Sequence, residues 1–303
     1  MLRILYGTAG TGKSAAIMDE IRRGADSGER YILLVPEQYS HEAERELCAV
    51  CGDGLSLYAE VLSFTGLARE ISSECGGAAN EYLDKGGRLL CMALAADGLY
   101  SRLRVYGAAR RKAELQTMLL GAVDEFKSAC VTSERLMQAS EACEGALGDK
   151  LHDLGLILEA YDGVVANGRA DPSDRLSVLA QQIGQCSMSE RTHVFVDGFT
   201  DFTAQERRVL EALLSKGVCL TVCLGCDELH GGSEVFALSR ITASALLKFA
   251  ADNGIKAQTE RFGGESTKAK PLGEFAENMF SYRAVEAGDA QGRTKIICAA
   301  DTN

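Results

Sequence analysis

The sequence predicts an α/β fold: a parallel sheet covered by helices on both faces and interrupted by an all-helical segment. Three observations carry this. Short apolar runs alternate with helical patterns in residues 1–78 and again in 187–262. A glycine-rich turn joins the first apolar run to the first helix. Residues 79–186 hold helical periodicities and no good strand, so they are read as an all-helical insertion. Residues 263–303 read as a linker and the start of a truncated following domain.

Each element has its own signal. Residues 2–6 (LRILY) read as a buried strand and 14–23 (SAAIMDEIRR) as an amphipathic helix. Residues 31–35 (YILLV) precede Pro36, and 57–62 precede Ser63, Phe64 and Thr65; both read as strands. In the inserted segment Leu115, Leu119, Ala122 and Phe126 fall on one helical face, and so do Leu151, Leu154, Leu158, Tyr161 and Val165. Asp171 and Pro172 form an N-cap and first-turn pair for a helix bearing Leu176, Leu179 and Ile183. Residues 192–197 (THVFVD) are a hydrophobic strand ending in Asp197. Thr203 and Glu206 have capping-box spacing and open the next helix, and 218–224 (VCLTVCL) follow as a strand.

The first turn carries the chemistry. Gly7, Thr8, Ala9, Gly10, Thr11, Gly12, Lys13 and Ser14 match G-x-x-x-x-G-K-[ST], the P-loop, in its required strand–loop–helix context. Glycines let the backbone turn so that N–H groups converge on phosphates, and the helix N-terminus adds its positive dipole end. Lys13 is expected to reach the β- and γ-phosphates and Ser14 to ligate Mg²⁺, with Asp197 holding the metal through water. The expected ligands are therefore ATP and Mg²⁺. A plain tight turn is the alternative.

Composition bounds the rest. The chain has 303 residues, 46% hydrophobic and 25% charged, as an ordinary globular protein does. No apolar run reaches the roughly 18 residues of a membrane span, and the N-terminus lacks a signal-peptide pattern, so a cytoplasmic protein without membrane contact is expected. The formal net charge of −11 argues against a general nucleic-acid coat but leaves room for a local basic groove. The 11 cysteines read as reduced, buried small hydrophobes. Two CxxC pairs, Cys48/Cys51 and Cys223/Cys226, have zinc-like spacing but lie on a helical pattern and a strand end, without a knuckle. The four histidines, His41, His152, His193 and His230, show no metal or catalytic spacing.

Several segments coincide with one family. The N-terminal P-loop, LLVPEQYSHEAEREL (33–47), AEVLSFTGLAREI (59–71), the helical insertion and HVFVDGFTDFTAQERRVLEALL (193–214) resemble the N-terminal region of the B subunits of bacterial AddAB (RexAB-type) helicase–nucleases. The resemblance covers essentially the whole chain. It implies a RecA-like domain related to UvrD-like helicases, a partner AddA-like helicase–nuclease subunit, DNA as ligand, and a role in double-strand-break repair. The parent complex is then an ATP-dependent helicase–exonuclease whose B subunit helps to recognise a recombination hotspot.

The departures from that pattern bear on activity. UvrD-like helicases read D-E-x-Q-D in the second acidic motif. Here Asp197 is kept, Gly198 stands for the Glu, Thr200 for the Gln, and Asp201 is kept. The missing Glu orients and deprotonates the attacking water, so hydrolysis by this chain alone is expected to be deficient and no catalytic residue is assigned. Asp201 and Glu206 are out of register to replace it. The chain reads as an N-terminal fragment: a strand-like KIICAA (295–300) comes just before Asn303, and neither the second RecA-like domain nor the nuclease domain is present. No iron–sulfur cluster is therefore expected among its cysteines.

By the same resemblance, the loops after the second and third strands face single-stranded DNA. They carry Pro36, Gln38 and Tyr39, then Ser63, Phe64 and Thr65. Phe64 either stacks on a base or packs beneath its helix. The insertion adds Arg102, Arg104, Arg110, Arg111 and Lys112; residues 101–127 hold six basic and three acidic side chains. They form either a phosphate-tracking face or a solvated surface. The competing readings are a free-standing P-loop ATPase or kinase, and a scaffold with a vestigial P-loop.

Overall fold

The computed structural model describes residues 1–52, 54–76 and 82–263. The expected strand at 295–300 and the segment 264–303 lie outside the described residues. Among the described residues six strands form one sheet: β1 (Leu2–Gly7), β2 (Arg30–Leu34), β3 (Ala59–Leu62), β4 (Thr192–Val196), β5 (Cys219–Gly225) and β6 (Ala257–Arg261). Their order is β3-β2-β4-β5-β1-β6, and every pairing is parallel. All six carboxyl ends therefore lie along one edge of the sheet.

Side chains alternate between the two faces, as strand geometry requires. On one face Leu5, Leu33, Phe195 and Cys223 pack with Ile17, Met18 and Ile21 of α1 (Lys13–Arg23) and Leu47 of α2 (Ser40–Cys51). On the other, Leu2, Ile4, Ile32, Leu34, Val194, Val196, Leu220 and Val222 pack with α3 (Phe64–Glu74) and three helices from later in the chain. Helices thus cover both faces. Such double burial is why the inner strands read as nearly continuous apolar runs.

Five strands fall where the apolar runs predict, within two residues. The third starts later: Leu55–Leu57 form a 3₁₀ turn with Leu57 87% exposed, and pairing begins at Ala59. The sixth strand, AQTER, has no apolar run to announce it, because all five side chains are exposed. It is held by backbone bonds to β1, flanked by Leu2 N–H to Lys256 O (2.9 Å) and Phe262 N–H to Tyr6 O (2.7 Å).

Between α3 and β4 lie, among the described residues, α4 (Lys85–Gly98), α5 (Ala113–Ser128), α6 (Ser133–Ala142), α7 (Gly145–Val165) and α8 (Arg175–Gln182). The first four build a core of their own around Met92, Leu119, Val123, Leu136, Leu158 and Tyr161. The last one behaves differently. Leu179 of α8 and the following Ile183 and Cys186 join the sheet's core, where α8 packs on α3 and α9 (Ala204–Ser215). Asp171 caps the 3₁₀ turn Pro172–Asp174 that leads into α8, and Ile183 falls in a second 3₁₀ turn just beyond it. The capping box at Thr203 and Glu206 is formed in full. The last helix, α10 (Ala237–Asp252), packs on α9, β1, β5 and β6. Among the described residues no helix is long and apolar enough to cross a membrane.

A buried polar network fastens the four-helix core to α8. Asp171, fully buried, accepts from Tyr161 Oη (2.7 Å) and pairs with Arg88 Nε (3.0 Å). Lys127 Nζ pairs with Asp174 (2.7 Å) and Asp162 (2.9 Å). Gln205 of α9 donates to Ser173 O (2.8 Å) and Ser177 Oγ (3.0 Å), joining the network to the helix after β4. Removing one partner of a buried ionic network leaves uncompensated charge, at about 3–5 kcal/mol. Asp171→Ala is therefore expected to lower unfolding free energy by about that amount, measured by urea denaturation; a loss below about 1 kcal/mol contradicts it.

A second buried carboxylate holds the loop between α4 and α5. Asp153 accepts from the N–H groups of Arg104 (2.9 Å), Val105 (2.7 Å) and Tyr106 (3.0 Å). Burial raises its pKa, but those three donors and His152 outweigh it and hold the carboxyl below the ordinary 3.8. The folded state then binds this proton less readily than the unfolded chain. Its stabilisation is complete above the ordinary carboxylate range and is lost as pH falls through the lowered value. Asp153→Asn is expected to be destabilised at neutral pH and to lose less further stability than wild type below about pH 4. Parallel pH profiles of the two unfolding free energies contradict that.

Candidate nucleotide site at the carboxyl edge of the sheet

The turn after β1 is shaped by its glycines. Gly10 and Gly12 have φ of 85° and 86°, a conformation that glycine adopts without strain. Gly7 is required for space: a Cβ there would lie 2.3 Å from the carbonyl oxygen of Phe262 and 2.8 Å from Thr11 Oγ1. Gly12 is the N-cap of α1 and supplies no side-chain hydrogen bond to the first N–H groups of that helix. Lys13 arches back over the loop, where Nζ donates to Gly7 O (2.7 Å), Thr8 O (2.9 Å) and Thr11 Oγ1 (3.4 Å). Burial lowers the Lys13 pKa, opposed by Cys223 and Asp197 nearby. The Lys13 ammonium thus rests on the carbonyls of its own loop, beside the start of α1.

Asp197 continues β4 by one residue, its N–H bonding Leu34 O (3.0 Å). It lines a cleft of about 150 Å³ with Ser14, Met18, Pro36, Tyr39, Glu42, Glu46 and Gly198. Ser14 and Asp197, far apart in sequence, thus face one space. Two residues there lacked any sequence signal: Glu42 and Glu46, one turn apart on α2, which a helical pattern alone does not aim at the loop. Cys223 lies beneath; burial, with the Asp197 carboxylate beside it, pushes its thiol pKa up.

Gly198 has φ of +82°, and a Cβ there would lie 3.3 Å from Pro36 Cδ. Its N–H donates to Asp197 Oδ1 (2.9 Å). The absence of a Glu at this position is therefore built into the backbone conformation as well as the side chain.

The strand-end loops after β2, β3 and β4 line a second cleft, about 360 Å³, which includes Ser63, Phe64, Thr65, Phe199, Gln205 and Arg175. Ser63 accepts from Gly66 N (3.1 Å) as the cap of α3. Phe64 is 6% exposed and packs edge-on against Phe199 (5.5 Å) and Phe202 (6.3 Å), the second of the two roles open to it. Gln38 is exposed on the 3₁₀ turn Glu37–Tyr39.

The basic run in the helical segment is largely engaged. Arg110 lies over the Tyr100 ring (3.9 Å) and shares Asp97 with Arg111, while Arg104 pairs with Asp149. Lys127, counted in that run, is buried among three aspartates. Neither Arg110 nor Arg111 lines the cleft at the strand ends. The CxxC pairs sit on α2 and at the end of β5, and among the described residues no three His, Cys, Asp or Glu side chains gather as a metal site.

Comparison with known proteins matches residues 4–275 to the family model described as ADDB, N-terminal. The B subunit of the ATP-dependent helicase/deoxyribonuclease of Desulforudis audaxviator is 35% identical over 266 residues, 84% of this chain and 23% of its own length. That of Caldanaerobacter subterraneus is 32% identical over 85% of this chain and 23% of its length. The Clostridium botulinum protein of the same name is 29% identical over 99% of this chain and 27% of its length. The chain spans about a quarter of the length of these relatives. By the match over most of its length, the chain belongs to the AddB N-terminal family.

Proposed function

We propose that the chain is a nucleotide-holding, DNA-scanning module of a double-strand-break repair helicase–nuclease, working beside an AddA-like subunit in the cytoplasm. In this reading the sheet is a RecA-like P-loop domain, and residues 79–186 are its all-helical insertion. The carrying observation is the loop itself: Gly7 leaves no room for a side chain, Gly12 leaves the α1 N-terminus uncapped, and Lys13 stands at the mouth. Backbone N–H groups of residues 10–14 would cradle the phosphates of ATP, which the helix dipole and Lys13 favour electrostatically. Ser14 and Asp197 line one cleft and fit the ligand set of a Mg²⁺ ion that would neutralise phosphate charge. The relatives' names, which specify ATP dependence, support the same reading.

Holding is separated from hydrolysis by Gly198. A glutamate at that position would need a left-handed backbone and would crowd Pro36. Glu42 and Glu46 border the cleft from α2, but both are exposed side chains of a surface helix, and among the described residues no hydrogen bond or ion pair fixes them for a water molecule. The DNA reading rests on the second cleft, which Ser63 and Thr65 line, and on the exposed Gln38 in the turn after β2. The alternatives, a free-standing P-loop ATPase or kinase, require turnover.

Two outcomes follow. Lys13→Ala is expected to remove a charge-assisted contact of about 1.5–3 kcal/mol, weakening ATP·Mg²⁺ binding roughly ten- to a hundredfold by calorimetry. Equal affinities in both proteins contradict the reading. Phosphate release with ATP, Mg²⁺ and DNA ends is expected to stay at the level of the Lys13→Ala control, and Gly198→Glu is expected not to raise it. Brisk release by wild type would overturn the holding role in favour of an ATPase.

A further inference from the structure

The second cleft holds a cation whose charge the fold leaves unpaired. Among the residues that line it, Arg175 is the only Arg or Lys. It follows directly on the 3₁₀ turn Pro172–Asp174, which the buried network holds from both ends: Asp171 pairs with Arg88 (3.0 Å) and Asp174 with Lys127 (2.7 Å). The guanidinium lies over the Tyr82 ring, 4.3 Å from its centroid. Tyr82 is itself fixed by a bridge to Ala170, one residue before the network begins. Among the described residues no ion pair or hydrogen bond occupies the Arg175 guanidinium. A ring beneath one face of a guanidinium orients it and leaves its N–H edges open to an oxyanion.

The neighbouring charges differ. Arg110 and Arg111 share Asp97, and Arg104 pairs with Asp149, so the basic run of the helical segment is largely neutralised where it stands. Two carboxylates also line the cleft, but neither meets Arg175. Glu206 Oε2 accepts from Thr203 N–H (2.8 Å) and Thr203 Oγ1 (3.0 Å), and Glu37 is exposed to solvent on the turn after β2. Ser63, Thr65 and Ser173 add hydroxyl groups to the lining.

We propose that Arg175 is the phosphate anchor of the second cleft: its guanidinium binds a backbone phosphate of a single DNA strand lying across the ends of β2, β3 and β4. The proposal rests on the DNA reading, and it moves the binding cation from Arg110 and Arg111 to Arg175. A phosphate contact carries no base identity, but each one contributes about 0.7 to the slope of log affinity against log salt for a single strand. In a chain of formal net charge −11 few such contacts are available, so the loss of one is a large share of the slope. An arginine that merely packed on Tyr82 makes a different forecast: its removal would lower stability and leave the slope unchanged.

The test is a fluorescence-anisotropy titration of labelled oligo-dT and oligo-dA with the 303-residue chain, at a series of salt concentrations. The proteins are wild type, Arg175→Gln, Arg175→Lys and Arg111→Gln, with thermal unfolding to check that each is folded. Arg175→Gln is expected to weaken both strands alike by roughly tenfold at low salt and to flatten the slope by about 0.7. Arg175→Lys, which keeps the charge, is expected to keep the slope, and Arg111→Gln to match wild type in both measures. Unchanged affinity and slope in Arg175→Gln overturn the proposal and leave the DNA reading standing. A loss confined to one of the two strands also overturns it, because that marks a base contact, and so does an equal loss in Arg111→Gln. A wild-type chain that binds neither strand at low salt overturns the DNA reading and the proposal together.

Discussion

The structure turns on the close approach of two backbone segments, the end of β1 and the residue that follows β6. Phe262 donates to Tyr6 O, and its own carbonyl occupies the space where a side chain on residue 7 would stand. Only glycine permits this contact, and the contact sets where the chain can turn. From that point the loop rises, Gly12 opens α1 in a left-handed conformation, and Lys13 closes back onto the Gly7 carbonyl. A larger residue at position 7 would push apart β6, the loop and α1 together. The fold's edge strand and its candidate site are thus one packing problem.

Around this point the parallel sheet does the assembling. Because all strands run the same way, every strand-end loop lies on one edge, the usual place for a ligand in an open α/β sheet. Ser14 at the start of α1, Asp197 after β4 and the turn after β2 line one cleft there although long stretches of sequence separate them. Gln205 then ties the helix after β4 to the network of Asp171, Arg88 and Lys127. The four-helix core and the strand-end edge are therefore mechanically continuous through α8, whose apolar side chains belong to the sheet's core.

What could be read from the sequence follows from periodicity and local motif. The inner strands are apolar on both faces, so their runs were legible, and the glycine loop and capping box are short-range patterns whose geometry needs only a few consecutive residues. The polar, exposed β6 was not legible, since only its backbone takes part in the sheet. Nor were Glu42 and Glu46, whose approach to Ser14 depends on how α2 packs, or the burial of Lys127, which counts as a surface charge until its three aspartates assemble around it. Phe64 had two possible roles in sequence, and the neighbouring rings of Phe199 and Phe202, contributed from beyond β4, decide for packing.

The central claim is that residues 7–14 cradle a triphosphate. It is tested most directly by the backbone amide NMR spectrum of the chain, recorded while ATP is added with Mg²⁺. The account requires saturable shifts at Gly10, Gly12, Lys13 and Ser14, with smaller ones at Asp197 and Gly198 across the cleft. A spectrum in which those amides stay in place, or in which ATP moves only residues remote from the carboxyl edge of the sheet, would contradict it.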